Sequence, residues 1–323
     1  MTTMRLAREG LTLITFGAIF LNGTLLTAPV MAADQDNDPP LEEYMAAQKS
    51  TGFDTPEQAV EAFKSTVNGG DFNKLAQLLG LDAAKAKSSD GASDNYAAIQ
   101  SGLKEKLVVE DQDGGKILEI GNQLWPLPFP LVKTQEGKWA FDTYAGLEEI
   151  ANRRVGENEI STLETMRAYV DAQEDYASED RDGDGVLEYA QKLISSDGQH
   201  DGLYWPSEQG DGEESPAGPA LVDGNALEKA KAGLGYNGYR YRILTGQAEN
   251  VAGGKFDYII NGNMIAGFGL VAWPVKYGIT GVKTFVVNKS GIVYEADLGD
   301  QTASVAGKIR AFNPGDTWDV VNE

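Results

Sequence analysis

The sequence predicts an α+β protein in two parts. Three observations predict it. A capped helical pattern opens at Thr55, a longer one runs from Asn158 to about Ala177, and the tail from Tyr239 onward alternates short apolar runs with Gly-rich turns. Composition narrows the chemistry. The chain has 323 residues, 27 Lys plus Arg against 49 Asp plus Glu, one histidine and no cysteine. Disulfides, zinc-thiolate sites, iron–sulfur clusters and cysteine nucleophiles are excluded. The lone His200 rules out a multi-histidine metal site within one chain. A formal charge of −22 opposes binding to phosphate backbones, so no nucleic-acid partner is expected.

The N-terminal segment reads as an export signal. Arg5 and Arg8 precede an uncharged stretch from Gly10 to Ala33, and Val30 and Ala32 suit the −3 and −1 positions of a cleavage site. Residues 1–32 are therefore expected to be removed, leaving a periplasmic or secreted protein. No second apolar span follows, so no membrane span is expected after cleavage. Residues 33–52, acidic and broken by Pro39-Pro40, read as a linker.

Each later element has a local reason. Thr55-Pro56-Glu57-Gln58 places Thr at the N-cap, Pro at N1 and Gln at N3, a capping box. Ala59, Val60, Phe63 and Val67 follow at helical spacing, and Asn68-Gly69-Gly70 stops the run. Asp71 caps a short helix carrying Leu75, Leu78 and Leu79. Residues 81–95 read as loop or weak helix. Lys116–Ile120, Leu131–Lys133 and Trp139–Phe141 read as strands, while the alternate prolines of Trp125–Pro130 exclude a central strand there.

Gly146–Val155 then leads into the long helix. Ile160, Leu163, Met166, Val170 and Ala177 are expected on its buried face, with Glu164, Arg167, Asp171, Glu174 and Asp175 opposite. From about Ser195 to Gly224 the chain is acidic, rich in Gly and Pro, and without period, which suggests a functional loop. Tyr239–Leu244, Phe256–Ile260, Phe268–Trp273, Thr284–Val287 and Ile292–Ala296 read as an antiparallel meander, with a hairpin turn at Asn288-Lys289-Ser290-Gly291.

Three resemblances rest on these phrases. The capped helix, the Leu-rich helix and the Gly137-Lys138-Trp139-Ala140-Phe141-Asp142 arm make residues 53–145 similar to cone-shaped nuclear-transport-factor-2-like or cystatin-like domains, a helix on a curved sheet. Leu163–Tyr176, Gly238-Tyr239-Arg240-Tyr241 and Gly281–Tyr294 make residues 146–323 similar to the globular domain of pilins and pseudopilins, a long helix packed on an antiparallel sheet. That likeness implies fold and not filament assembly, because a separate domain replaces the apolar stem. The chain also resembles the bacterial domain-of-unknown-function family numbered 2950. Phe53–Val60, Trp139–Thr143, Arg153–Gly156, Asp201–Pro206, Ser215–Pro219 and Ala272–Pro274 carry this third resemblance. It implies an exported envelope protein.

The sharpest chemical motif is Asp180-Arg181-Asp182-Gly183-Asp184-Gly185-Val186-Leu187-Glu188. Carboxylates at alternate positions can curl round one hard cation, Gly185 permits the sharp turn, and the Val186 carbonyl and Glu188 supply further oxygens. Position 12 is Gln191 in place of the usual bidentate Glu. A structural calcium ion at Asp180, Asp182, Asp184, Val186, Glu188 and Gln191 is the expectation; a solvated acidic turn is the alternative.

Candidate ligand contacts are Arg153 and Arg154, a basic pair able to anchor a carboxylate, with His200, Tyr204, Trp205 and Ser215 around the acidic loop. Glu149 and Arg153 stand at i,i+4, so a surface ion pair competes with the anchoring role. His200 among Ser195, Ser196 and Asp201 makes no convincing triad, for triad members approach from different elements and no G-x-S-x-G elbow exists. The Asn250–Phe256 stretch lacks the residues of a phosphate loop.

No complete catalytic motif emerges. The expected function is an exported, non-catalytic envelope protein that binds an envelope protein, a small molecule or a glycan. The alternatives are a carboxylate-dependent hydrolase of an envelope polymer, working through the 195–224 region, and a pseudopilin-like subunit. If export proceeds as read, N-terminal sequencing of the envelope-side protein returns Ala33-Asp34-Gln35; a retained residue 1–32 segment would instead favour the pseudopilin alternative.

Overall fold

A computed structural model describes residues 41–322 except 90, 113, 182, 207–213 and 219–234. The export segment, Asp182 and much of the acidic loop therefore lie outside the described residues. The architecture is α+β, with every named strand pairing antiparallel.

The first part opens with a 3-10 turn, Leu41–Tyr44, inside the stretch read as a linker. Backbone bonds from Ala46 to Gly80 and from Asp82 to Tyr44 tie this stretch down. Helix α1 is Pro56–Asn68. Its cap is as predicted at Thr55, whose side chain accepts the Gln58 N–H at 3.3 Å. The Gln58 side chain reaches back one residue further, to the Asp54 N–H at 3.1 Å.

Helices α2 (Phe72–Leu78), α3 (Ala83–Ser88) and α4 (Ala92–Glu105) follow. The segment read as loop or weak helix is thus largely helical. Tyr96, Ile99 and Leu103 of α4 pack against the first core.

Strands β1 (Leu107–Gln112), β2 (Gly115–Ile120), β4 (Leu131–Lys133) and β5 (Trp139–Phe141) form a sheet in that order, and the two-residue β3 (Trp125–Pro126) joins β2. β1 lies at the sheet's outer edge. The first core gathers Ala59, Phe63 and Val67 of α1 with Leu118, Leu127, Phe129, Leu131 and Phe141.

Helix α5 departs from expectation. It is one helix, Thr143–Tyr176, and absorbs the Gly146–Val155 stretch. Asp142 is its N-cap, accepting the Ala145 N–H at 3.1 Å. Gly146 does not break it, because Phe129 of the first part lies directly against that position: a Cβ there would stand 2.0 Å from Phe129 Cδ1.

The buried stripe also differs. Ile160 is 60% exposed, whereas Thr162, Met166, Tyr169, Ala172, Gln173 and Tyr176 are buried. The inward face contains polar groups that a search for apolar period passes over. The predicted acidic face is exposed as expected.

The second sheet has the order β14-β13-β12-β11-β6, from β6 (Tyr239–Leu244), β11 (Gly269–Pro274), β12 (Lys283–Asn288), β13 (Tyr294–Asp297) and β14 (Asp319–Val320). Every residue of β11 is buried. Alternation along that strand sends Leu270 and Ala272 into a core with Met166 and Tyr169 of α5, and Val271 and Trp273 into a core with Ala306 and Phe312. The sheet is therefore covered on both faces, by α5 on one and by helix α6 (Thr302–Ala306) with the chain around Phe312 on the other.

The run Phe256–Ile260 is not one strand. It splits into β8 (Phe256–Asp257), paired with β7 (Gly246–Gln247), and β9 (Ile259–Ile260), paired with β10 (Asn263–Met264). The β9–β10 turn has Asn261 at φ 53 and Gly262 at φ 100. Left-handed values at both positions are what an Asn-Gly hairpin turn requires.

Two glycines in α5 should respond oppositely to alanine. Gly146→Ala forces a methyl into Phe129 and should destabilise by about 1–3 kcal/mol. At Gly156 a Cβ meets nothing within 4 Å. Gly156→Ala should therefore stabilise by about 0.5–1 kcal/mol through helix propensity. Urea unfolding of the two variants measures both signs.

Candidate functional site

The acidic bend follows the end of α5. Ala177 closes the helix through N–H bonds to the Gln173 and Asp175 carbonyls. The chain then turns on Asp180, whose Oδ1 accepts the Gly183 N–H at 2.8 Å and whose Oδ2 accepts the Gly185 N–H at 2.9 Å. Gly183 and Gly185 both have positive φ, 76 and 87, which side-chain-bearing residues rarely adopt.

Asp184 Oδ1 accepts the Val186 N–H at 2.8 Å, and its Oδ2 accepts Asn263 Nδ2 at 2.6 Å. Glu188 Oε2 accepts the Met264 N–H at 2.7 Å and Gln191 Nε2 at 3.3 Å; the same Gln191 nitrogen donates to the Gly262 carbonyl at 2.7 Å. The bend is thus laced to the β9–β10 hairpin by three side chains, Asp184, Glu188 and Gln191. Among the described residues, no group of three His, Asp or Glu side chains is assembled around one point; Asp182 is outside that set.

A helix starting near Glu188 would complete the usual cation-loop pattern. Residues 186–190 form none. The reason is Gln173, which is fully buried and takes both backbone groups of Ala190: its Oε1 accepts the N–H at 2.8 Å and its Nε2 donates to the carbonyl at 2.9 Å. That nitrogen also donates to Tyr169 Oη at 3.0 Å, and Tyr169 donates to the Gly269 carbonyl of β11 at 3.0 Å. Burial raises the Tyr169 phenol's pKa well above the ordinary value, which keeps it a donor.

Arg181, inside the acidic motif, is a site residue that sequence reading missed. Its side chain is 6% exposed. Nε donates to the Tyr176 carbonyl at 3.2 Å, and the guanidinium lies 5.6 Å from the Tyr176 ring centroid and 5.5 Å from that of Trp205. The signal was its place just beyond a helix C-terminus, where a cation meets unpaired carbonyls.

His200 stacks on Trp205, centroids 4.2 Å apart and planes 15° apart, and its carbonyl accepts Tyr176 Oη at 2.9 Å. Tyr204 is half-buried, and Trp205 and Ser215 are buried. The Ala217 N–H donates to the Leu203 carbonyl, which places the 215–218 turn beside 203–205. His200, Tyr204, Trp205 and Ser215 thus share one region with the acidic bend.

Arg153 and Arg154 do not join it. They lie 23 and 22 residues before Tyr176 on α5, about 35 Å along the axis at 1.5 Å per residue. Arg153 Nε donates to Glu149 Oε1 at 2.8 Å and its guanidinium stands 5.2 Å from the Trp125 centroid, while Arg154 is exposed.

Asp201 accepts Lys192 Nζ, the Ser196 N–H at 2.8 Å and Ser196 Oγ at 3.0 Å. Partial burial pulls its pKa upward, but the Lys192 and Ser196 hydrogen bonds outweigh that and hold it below the ordinary carboxylate value. An acid held ionised in this way cannot serve as a proton donor near neutrality.

A family model described as Protein of unknown function (DUF2950) matches residues 49–321. No curated protein and no solved structure matches the chain. Among the described residues, no helix is long and apolar enough to cross a membrane.

Asp201 gives a pH test. Its folded-state pKa lies below the unfolded one, so its contribution is present above about pH 4 and is lost as pH falls through the folded value. Asp201→Asn should cost about 0.5–1 kcal/mol at pH 7, the range for a partly exposed pair, and almost nothing at pH 2. Denaturant midpoints of both proteins at the two pH values measure the difference.

Proposed function

We propose that this chain, which belongs to the family described as Protein of unknown function (DUF2950), is an exported envelope protein that binds rather than reacts, braced by one calcium ion at the acidic bend. The observation that carries the reading is the bend itself. Asp180 folds back over the amides of two left-handed glycines, and in the sequence Asp182 stands between Asp180 and Asp184 at the alternate spacing of a cation loop. Calcium takes six to eight oxygen ligands and tolerates irregular geometry, which suits carboxylates, the Val186 carbonyl and the amide oxygen of Gln191. Glu188 adds a further carboxylate.

The ion's role is structural. Asp184 and Glu188 already hold Asn263 and the Met264 amide. Neutralising them would fasten the end of α5 to the β9–β10 hairpin and reduce the mutual repulsion of the clustered acids. Export rests on the N-terminal sequence pattern and the binding role on the region that adjoins the bend. There half-buried His200 lies on buried Trp205 beside half-buried Tyr204 and the Ser215 turn, aromatic and hydrogen-bonding groups of the kinds that line sites for a glycan, a small molecule or an envelope protein.

Calcium at 10 mM should raise the melting temperature. With a dissociation constant of about 10⁻⁴–10⁻³ M, as in extracellular modules, the gain is about 1.4–2.7 kcal/mol, or roughly 2–4 °C for a chain of this size. The double variant Asp182→Ala, Asp184→Ala should lose this rise, and magnesium should not replace calcium. Calorimetric scans of both proteins decide it; equal responses would remove calcium from the reading.

A further inference from the structure

The cleft between α4 and the β2–β3 edge lies far from the acidic bend in sequence and has its own chemistry. It is partly open to solvent, has a volume of about 170 Å³ and is lined by Asn95, Ala98, Ile99, Gly102, Ile120 and Trp125. The four α4 positions stand at i, i+3, i+4 and i+7, so they form one face of the helix. Gly102 lies closest to the β2 strand. At Gly102 a Cβ would stand 2.8 Å from Ile120 Cγ2, so only glycine lets helix and strand approach this closely.

The opposite wall is the indole of Trp125, 40% exposed and held in place. Its backbone pairs with Ile120, and the Arg153 guanidinium, fixed by Glu149, lies 5.2 Å from its centroid. The preceding residue, Leu124, has φ 53, a left-handed value that is unusual for a leucine. Strain of this kind concentrates where a side chain must be presented in one direction.

Size and polarity select the ligand. Apolar cavities of about 150 Å³ accept benzene, whereas drug-sized sites occupy roughly 300–1,000 Å³. No charged side chain lines the cleft, and Asn95 is the polar group at its rim. We infer that the cleft binds a free, uncharged, one-ring aromatic molecule carrying a hydrogen-bonding group, with the ring between Ala98–Gly102 and Trp125 and the polar group toward Asn95. This deepens the binding-protein reading by naming a ligand class for it, and does not depend on calcium.

The test uses the full chain labelled with 5-fluorotryptophan. The protein has five tryptophans, and the Trp125→Phe spectrum assigns the one of interest. Indole and phenol titrated to about 5 mM should shift the Trp125 fluorine resonance saturably while the other four stay in place, and benzoate should not. Ala98→Leu, a nearly neutral change at an exposed helix position, should fill the slot and weaken binding at least tenfold while leaving the melting temperature within about 1 °C. Asn95→Ala should weaken phenol by about threefold. No saturable shift at Trp125 would overturn the cleft, and so would unchanged affinity in Ala98→Leu. Binding that persists there with shifts at another tryptophan would overturn this site alone and leave the broader binding reading intact.

Discussion

One buried amide organises the second part of the molecule. Gln173 lies fully inside, on the helix face where an apolar side chain would be expected, and its side chain bonds both to the chain beyond the acidic bend and to Tyr169 of its own helix. It grips both backbone groups of Ala190, and through Tyr169 it is connected to the Gly269 carbonyl of β11. Helix, sheet and the chain leaving the acidic bend are therefore linked by one path of hydrogen bonds. In a low-dielectric interior such a path rigidifies the structure when complete, and leaving one of its groups unpaired costs about 1–3 kcal/mol. It also explains why the chain after the bend is extended. A helix there would need the Ala190 N–H for itself.

With that segment fixed, the acidic bend has a defined floor. Tyr176 and Arg181 close the helix end, and the β9–β10 hairpin receives Asp184, Glu188 and Gln191 on its far side. The sheet beneath is covered on both faces, so its central strands are held by packing independent of the bend. The bend can then accommodate clustered negative charge without carrying the fold.

Much of this was legible in the sequence where the cause is local. Thr55-Pro56-Glu57-Gln58 announces α1 because a cap uses neighbours three residues apart. β4, β5 and β6 have the predicted bounds because alternation and turns are short-range signals. Helix α4 was hidden because Gly91 caps it without a side-chain bond and its apolar face is only half-buried. The start of α5 was obscured by Gly146, which reads as a breaker until Phe129 is seen against it. The acidic bend was legible from its spacing. Asn263 was not, since it meets Asp184 from 79 residues away, although Asn261-Gly262 marks the hairpin that delivers it. Arg181 drew no reading of its own, because its inward course depends on Tyr176 and Trp205 meeting in three dimensions.

The outer strand of the first sheet has a consequence for the protein's behaviour in bulk. β1 presents six residues with one side unpaired, and Val109 on it is 40% exposed. A free rim of this length is a template on which other chains can stack. Glu110 and Asp111 stand guard there, since a second copy adding in register would bring like charges together. Concentrated salt screens that guard, so a high-salt buffer should turn a well-dispersed solute into one that tends to grow ordered aggregates from this rim.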